Sequence, residues 1–255
     1  MTKLDRFKLL VAKMKKIKCL AVVIARGGSK GVPKKNLMDI GGRPLVAHSI
    51  NSMLIASHSE QVDIILSTDS DEIRDAGIEA GAWVPFLRPA ELAADDFPSW
   101  PVVQHAVTQA EKIKNTRYDL IVYLQPTAPM CRPEDIVRCI RTLHENPTAE
   151  SAVAITEVET HPFRMKRLLN DGRLINYIDQ GFEDMRPRQQ LPKVYRRAGS
   201  VYASRRKVVM EGNTLVGDLC IGVVVPPETA IDIDTEIDLE LVRLLYERNK
   251  SGRGD

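Results

Sequence analysis

No hydrophobic run in this chain of 255 residues approaches the roughly 20 apolar residues of a membrane-spanning helix. The expectation is a soluble, cytoplasmic protein with no membrane partner. Aromatic residues are also scarce, at 5%, too few for the stacking platforms on which single-stranded nucleic acids are held. Neither sign of charge predominates: 36 Lys and Arg stand against 34 Asp and Glu, a formal charge of +2. Nucleic-acid binding therefore has no global support, and any positive patch must be local. The four cysteines, Cys19, Cys131, Cys139 and Cys220, form no CxxC pair and have no His at metal-ligand spacing. They read as buried free thiols of a reducing compartment. None of the five histidines has a sequence partner that suggests a nucleophile. His48 and His105 fall on predicted helices and read as packing or surface residues.

What is present is alternation. Compact apolar runs at residues 20–25, 62–67, 83–87, 120–124 and 152–158 predict strands, and helical spacing at 44–57, 71–80, 101–114 and 133–146 predicts helices between them. Ser70 is the expected N-cap of the second helix. This order calls for an α/β fold, a mostly parallel sheet with helices on both faces. Ligands in such sheets bind beyond the carboxyl ends of the strands. Here those ends are residues 26–36, Thr68-Asp69, Arg88 and residues 125–129. From about 160 to 197 the pattern breaks into a Pro- and Arg-rich excursion with a turn at Asp171-Gly172 and a short strand after it. The core resumes at 200–203 and 221–225, and an amphipathic helix over 236–248 closes the chain. We expect one domain over 18–255, preceded by a basic extension, residues 1–17, whose apolar LLVA is too short for a signal peptide.

Three stretches carry chemistry. After the first strand, residues 26–36 hold Arg26, Lys30, Lys34 and Lys35 with no acid. Glycines at 27, 28 and 31 let backbone N–H groups approach a ligand, so the loop suits a polyanion such as a triphosphate, or is a solvated basic turn. It fits neither G-x-x-x-x-G-K-[ST] nor G-x-G-x-x-G. Side-chain cations that wrap a nucleotide can follow charge onto leaving pyrophosphate. Near the other end, residues 231–238 read IDIDTEID. Asp232 and Asp234 alternate along an extended segment and face one side, which suits Mg²⁺ if phosphate oxygens supply the remaining ligands. The alternative is an acidic helix start, with Asp234 or Thr235 as cap and Glu236 and Asp238 complementing the dipole. Residues 186–197 carry Arg186, Arg188, Lys193, Arg196 and Arg197, a site for an acidic acceptor, an exposed hairpin or a subunit contact.

The stretches ARGGSKGVPKKN, LQPTAP, RQQLPKVYRRAGSVY and DIDTEID, in that order, resemble the acylneuraminate cytidylyltransferase family, the CMP-sialic acid synthetases and relatives acting on other nonulosonic acids. The resemblance spans about residues 18–246. It implies a Rossmann-like nucleotidyltransferase that uses CTP and Mg²⁺ to activate an acidic nine-carbon sugar, giving CMP-sugar and pyrophosphate. By motif match, Arg26, Ser29, Lys30 and Lys35 would meet the triphosphate, with Arg26, Lys30 and Lys35 catalytic, and Asn36 and Arg88 on the cytidine side. Gln125 and Thr127 would position the sugar; Arg188, Gln189, Arg196 and Tyr202 would surround its carboxylate and polar groups; Asp232 and Asp234 would hold the metal. The excursion would be a dimerisation arm, making a homodimer or a dimer of dimers. Where the family commonly reads NGAIY and QPTSP, this chain has Ala198-Gly199-Ser200-Val201-Tyr202 and Ala128. These departures bear on which sugar is used more than on the reaction. Other readings are a nucleotidyltransferase for a different sugar or sugar phosphate, and a non-catalytic sugar-nucleotide binding module. No general base stands out in the sequence; a metal-bound hydroxide and Asp234 are the candidates.

Overall fold

The computed structural model describes residues 17–28, 32–58, 62–94, 96–179, 181–182 and 184–251. Residues 1–16 of the basic extension lie outside the described residues, as do Ser29 and Lys30 of the basic loop. The chain starts with strand β1 (Cys19–Ile24), a hairpin of two short strands, β2 (Asp39–Ile40) and β3 (Arg43–Pro44), and helix α1 (Leu45–Ser57). Strand β4 (Val62–Ser67), helices α2 (Asp71–Glu79) and α3 (Ser99–Lys114), strand β5 (Leu120–Leu124), helix α4 (Pro133–Glu145) and strand β6 (Ser151–Glu157) follow. A second hairpin, β7 (Lys166–Leu168) and β8 (Leu174–Asn176), precedes the long strand β9 (Tyr195–Arg205), helix α5 (Arg206–Glu211), strand β10 (Cys220–Val224) and helix α6 (Glu236–Ser251).

Six strands form one sheet in the order β10-β6-β9-β5-β1-β4. β1 runs parallel to β4 and β5, and β10 parallel to β6; of the six described strands of this sheet, β9 alone runs antiparallel to its neighbours. Its direction follows from the excursion. The chain leaves at the carboxyl end of β6 and comes back at that same end, where Glu157 pairs with Tyr195, so it must run the other way.

Strand side chains alternate between faces, and both faces of the central strands are covered, which is why β1 and β5 are apolar throughout. Leu20, Val22, Ile65 and Ile121 pack with Val103, Ala106 and Val107 of α3. Ala21, Val23, Leu66 and Val122 pack on the other side with Ile50 of α1 and Ile136 and Ile140 of α4. A third, smaller core joins Ile40, Leu45, Ile233, Leu239 and Val242, tying α6 to the first hairpin. There Tyr246 lies over Gly41, which has φ +60°, and any Cβ on that glycine would overlap the Tyr246 ring. His48 is buried beside them, its Nε2 3.0 Å from the carbonyl oxygen of Ile40 and its ring edge-on to Tyr246 at 5.3 Å.

Several expectations change. Residues 83–87 do not form a strand: Trp83 alone bridges to Ile65, because Pro85 has no N–H to continue a ladder. Cys19, Cys131 and Cys139 are buried, but Cys220 is exposed, since it opens the edge strand β10. Tyr195, Arg196 and Arg197 belong to β9 of the main sheet, not to a loop. Ser70 does cap α2, its Oγ accepting from the Ile73 N–H at 3.4 Å. No described helix is long and apolar enough to cross a membrane.

Candidate active site

The carboxyl ends of β1, β4 and β5 open into a cleft of about 390 Å³. Arg26 enters from the end of β1, where Ala25 N–H still bonds to Ser67 O at 3.1 Å. Its guanidinium donates to Ala94 O at 3.2 Å across the cleft. Asn36 and Lys35 sit on a single turn of 3-10 helix, Lys35–Leu37, after the basic loop. The Asn36 amide donates to Arg26 O at 2.9 Å and closes the loop on itself. Lys35 is largely buried, at 13% side-chain exposure. Its ammonium donates to the Ile233 carbonyl and stands 3.5 Å from Asp234 Oδ1, joining the start of the chain to its end. Lys34 does not join them: in a left-handed conformation, it turns to α2 and pairs with Glu72 at 2.9 Å.

The acid segment is held from two sides. Ile233, fully buried, donates its N–H to Thr127 O at 2.8 Å. Asp238 Oδ2 accepts from the N–H groups of Asp234 and Thr235 at 3.1 and 2.8 Å, while Thr235 Oγ1 accepts from Asp238 N–H at 3.3 Å. That reciprocal pair makes Thr235 and Asp238 the cap of α6 and leaves the Asp232 and Asp234 carboxylates out of the capping. Asp234 is exposed at the cleft. Asp232 is half-buried, and burial pushes its carboxyl above the ordinary carboxylate range; a bond from Thr127 opposes that, Asp234 adds to it, and Lys35 and Arg196 oppose it. Its Oδ1 is buried and has no hydrogen-bond partner among the described residues, so no hydrogen bond offsets the desolvation of that oxygen. Among the described residues no three His, Cys, Asp or Glu stand close enough to hold a metal by themselves. An orphaned carboxylate oxygen beside a second, exposed carboxylate fits a hard cation that takes its other ligands from phosphate and water.

Gln125 and Thr127 follow β5, and both line the cleft. Facing them, four residues of β9, 198–201, oppose the single residue Ala154 of β6. Within this bulge Gly199 has φ +75°, and a Cβ there would stand 3.2 Å from Asp232 Oδ2 and 3.4 Å from Gln125 Oε1. Glycine keeps that space open. Tyr202, opposite Tyr123 in register, stacks on it obliquely at 5.6 Å. Burial raises the hydroxyl pKa of both rings. Arg196 reaches Ala230 O at 3.2 Å, just before the acid segment. Arg188 and Gln189 are farther out at the root of the excursion: Arg188 donates to Val158 O at 2.8 Å, and Gln189 is exposed. Neither lines the cleft in this chain.

Sequence reasoning left part of the wall unnamed. Leu92, Ala94, Phe97 and Ser99, from the stretch leading into α3, line the cleft with Tyr123. Buried Arg88 lines it too and is paired with Asp69 at 3.1 Å. Asp69 was legible as a strand-end residue, but its partners come from two other loops.

The sequence profile described as cytidylyltransferase matches residues 20–250. Among curated proteins, the chain is 32% identical to a pseudaminic acid cytidylyltransferase of Campylobacter jejuni, over 91% of this chain and 98% of that one. The chain belongs to the cytidylyltransferase family. It is also 31% identical to a CMP-N,N'-diacetyllegionaminic acid synthase of Legionella pneumophila, over 92% of this chain and 98% of that one. Among solved structures, it is similar to CMP:2-keto-3-deoxy-manno-octonic acid synthetase complexed with CTP, with a TM-score of 0.63 at 20% identity, covering 91% and 99% of the two chains. That likeness supports the Rossmann-like fold. Membership of the family makes the chain a nucleotidyltransferase, as its motifs implied.

Proposed function

We propose that this cytidylyltransferase transfers the cytidylyl group of CTP to the anomeric hydroxyl of a nonulosonic acid. The hydroxyl oxygen bonds to the α-phosphorus in line, the bond to the bridging oxygen of pyrophosphate breaks, and the hydroxyl proton passes to a base, for which Asp234 is the candidate. The observation that carries this reading is the contact of Lys35 with both Ile233 O and Asp234: it ties the end of the basic loop to the acid segment, which supports a triphosphate clamp. Arg26, Lys30 and Lys35 would offset charge on the phosphates as pyrophosphate leaves. Ser29 would add a donor beside them, and Asn36 and Arg88 would border the cytidine.

Asp232 and Asp234 would hold Mg²⁺, which when bound supplies a Lewis acid on the phosphate oxygens. Gln125 and Thr127 would orient the sugar; Thr127 also keeps Asp232 in place. Arg188, Gln189, Arg196 and Tyr202 would meet its carboxylate and polar groups, with Arg188 and Gln189 serving a neighbouring subunit's site in a homodimer or a dimer of dimers, since they are remote from the cleft of their own chain. Cytoplasmic CTP would be the donor.

The names of the bacterial relatives support nonulosonic acids as acceptors. The test crosses CTP, UTP, GTP and ATP with nonulosonic acids and with sugar phosphates in a pyrophosphate-release assay. Release with CTP and a nonulosonic acid supports the reading; no release with CTP and any 2-keto acid sugar rejects it. Release only with a sugar phosphate would favour the other acceptor class, and nucleotide binding without release would favour a binding module.

A further inference from the structure

One carboxylate serves both halves of the nucleotide cleft. Asp69, directly after β4, uses its Oδ1 to accept the backbone N–H of Gly27 at 3.1 Å and Arg88 Nη2 at 3.1 Å. The first bond fixes the opening turn of the basic loop, and the second fixes a guanidinium whose side chain is only 2% exposed. Loop and strand end approach so closely that a Cβ on Gly27 would come within 3.2 Å of Ser70 Cβ. The Arg88 backbone is pinned to the same place, its N–H bonding to Thr68 O at 2.7 Å, while Arg88 Nε is buried without a partner among the described residues. Burial pushes the Arg88 pKa down, Asp69 pushes it back up, and nearby Arg26 pushes it down again. Two arginines thus crowd one side of the cleft, and Asp69 is the carboxylate paired with the buried one.

We propose that Asp69 is a positioning residue that links the phosphate side of the nucleotide site to its nucleoside side, acting through Arg88 and the Gly27 turn. This rests on the reading of the cleft as a CTP site. Removing the charge of Asp69 leaves the Arg88 guanidinium buried without its counter-ion, free to swing out of the wall or to turn toward the triphosphate. Binding of CTP then weakens, while chemistry on bound CTP, which depends on other groups, is largely kept.

The test is a double-mutant cycle on the KM for CTP with Asp69→Asn, Arg88→Met and both together, using pyrophosphate release at saturating sugar. Asparagine keeps an acceptor oxygen for Gly27, removes the charge and turns the second oxygen into an amide donor. The proposal expects Asp69→Asn to raise KM about tenfold, with kcat changed less than about threefold, and expects little further rise when Arg88 is already Met, because residues in contact are not additive. Asp69→Glu should recover part of the loss, and thermal melting of each variant separates misfolding from a binding defect. If the two single effects multiply in the double variant, or if melting falls while KM stays at the wild-type value, the link is overturned and the CTP reading stands. If the wild-type chain releases no pyrophosphate from CTP with any acceptor, both fall together.

Discussion

The cleft and the arm both leave the sheet at its carboxyl end, yet they are held by opposite means. Around the cleft several polar side chains are partnered within the chain: Lys35 by Ile233 and Asp234, Arg88 by Asp69, Asn36 by the backbone of Arg26. Beneath it lie side chains with almost no exposure, such as Val22, Ile121 and Leu124. The arm over residues 158–194 is different. Its β7–β8 hairpin pairs only with itself within the described chain, and it displays Leu168, Leu174, Tyr177 and Phe182 at 56–69% exposure. A two-stranded hairpin alone is marginal in water. The contrast is that the nucleotide end is held by contacts within one chain, whereas the arm leaves apolar surface uncovered among the described residues, which is the physical argument for the proposed homodimer.

The difference can be pressed first in the core. Ile121 is 1% exposed at the centre of the sheet, and Ile121→Ala should lower unfolding stability by about 2–5 kcal/mol through lost burial and the cavity left behind; chemical denaturation reads it as a lower midpoint. Next comes Lys35→Ala, which should reduce kcat by roughly 10²–10³, or about 2.7–4 kcal/mol of barrier, as for other lost charge-stabilising donors. Lys30→Ala is expected to act in the same range. Wild-type turnover in either variant would remove that lysine from the phosphate role.

A smaller effect is set by pH. Burial lowers the His48 pKa below 6.5 in the folded chain, partly offset by the Ile40 carbonyl bond. The unfolded chain, with an ordinary value of about 6.5, therefore takes up the proton first as pH falls. Stability contributed by neutral His48 is present above that value and is lost as pH falls through it toward the folded pKa. The melting temperature should decline between pH 7 and 5.5, and His48→Gln should flatten the decline; an unchanged slope in that variant would assign it elsewhere. Smallest is the arm. Leu174→Ser, at a residue 65% exposed, should move monomer stability by less than about 0.5 kcal/mol yet weaken self-association in sedimentation velocity. A large loss of monomer stability, or unaltered association, would break the contrast between cleft and arm.

Much of the sheet was legible because a strand covered on both faces must be apolar throughout. β4 and β5 begin and end where their runs at 62–67 and 120–124 do. β9 was harder: Tyr195, Arg196 and Arg197 are polar, and Gly199 interrupts the run, so only its middle, 200–203, read as strand. The 83–87 run was apolar enough but lacked a donor at Pro85. At the site, the basic loop and the acid pair could be read because charge type and spacing lie within single segments. The contacts of Asp69 and Gly199 could not, since one joins residues 27 and 88, and the other matters by the side chain it lacks, facing Asp232 and Gln125. Such roles are properties of approach between segments.

The most direct measurement follows the α-phosphorus of CTP. With CTP labelled at that atom and incubated with a nonulosonic acid and Mg²⁺, the label should appear in a CMP-sugar in step with pyrophosphate release, and Lys35→Ala should slow both together. Label that stays in CTP, or that is released as free CMP without joining the sugar, would contradict the account.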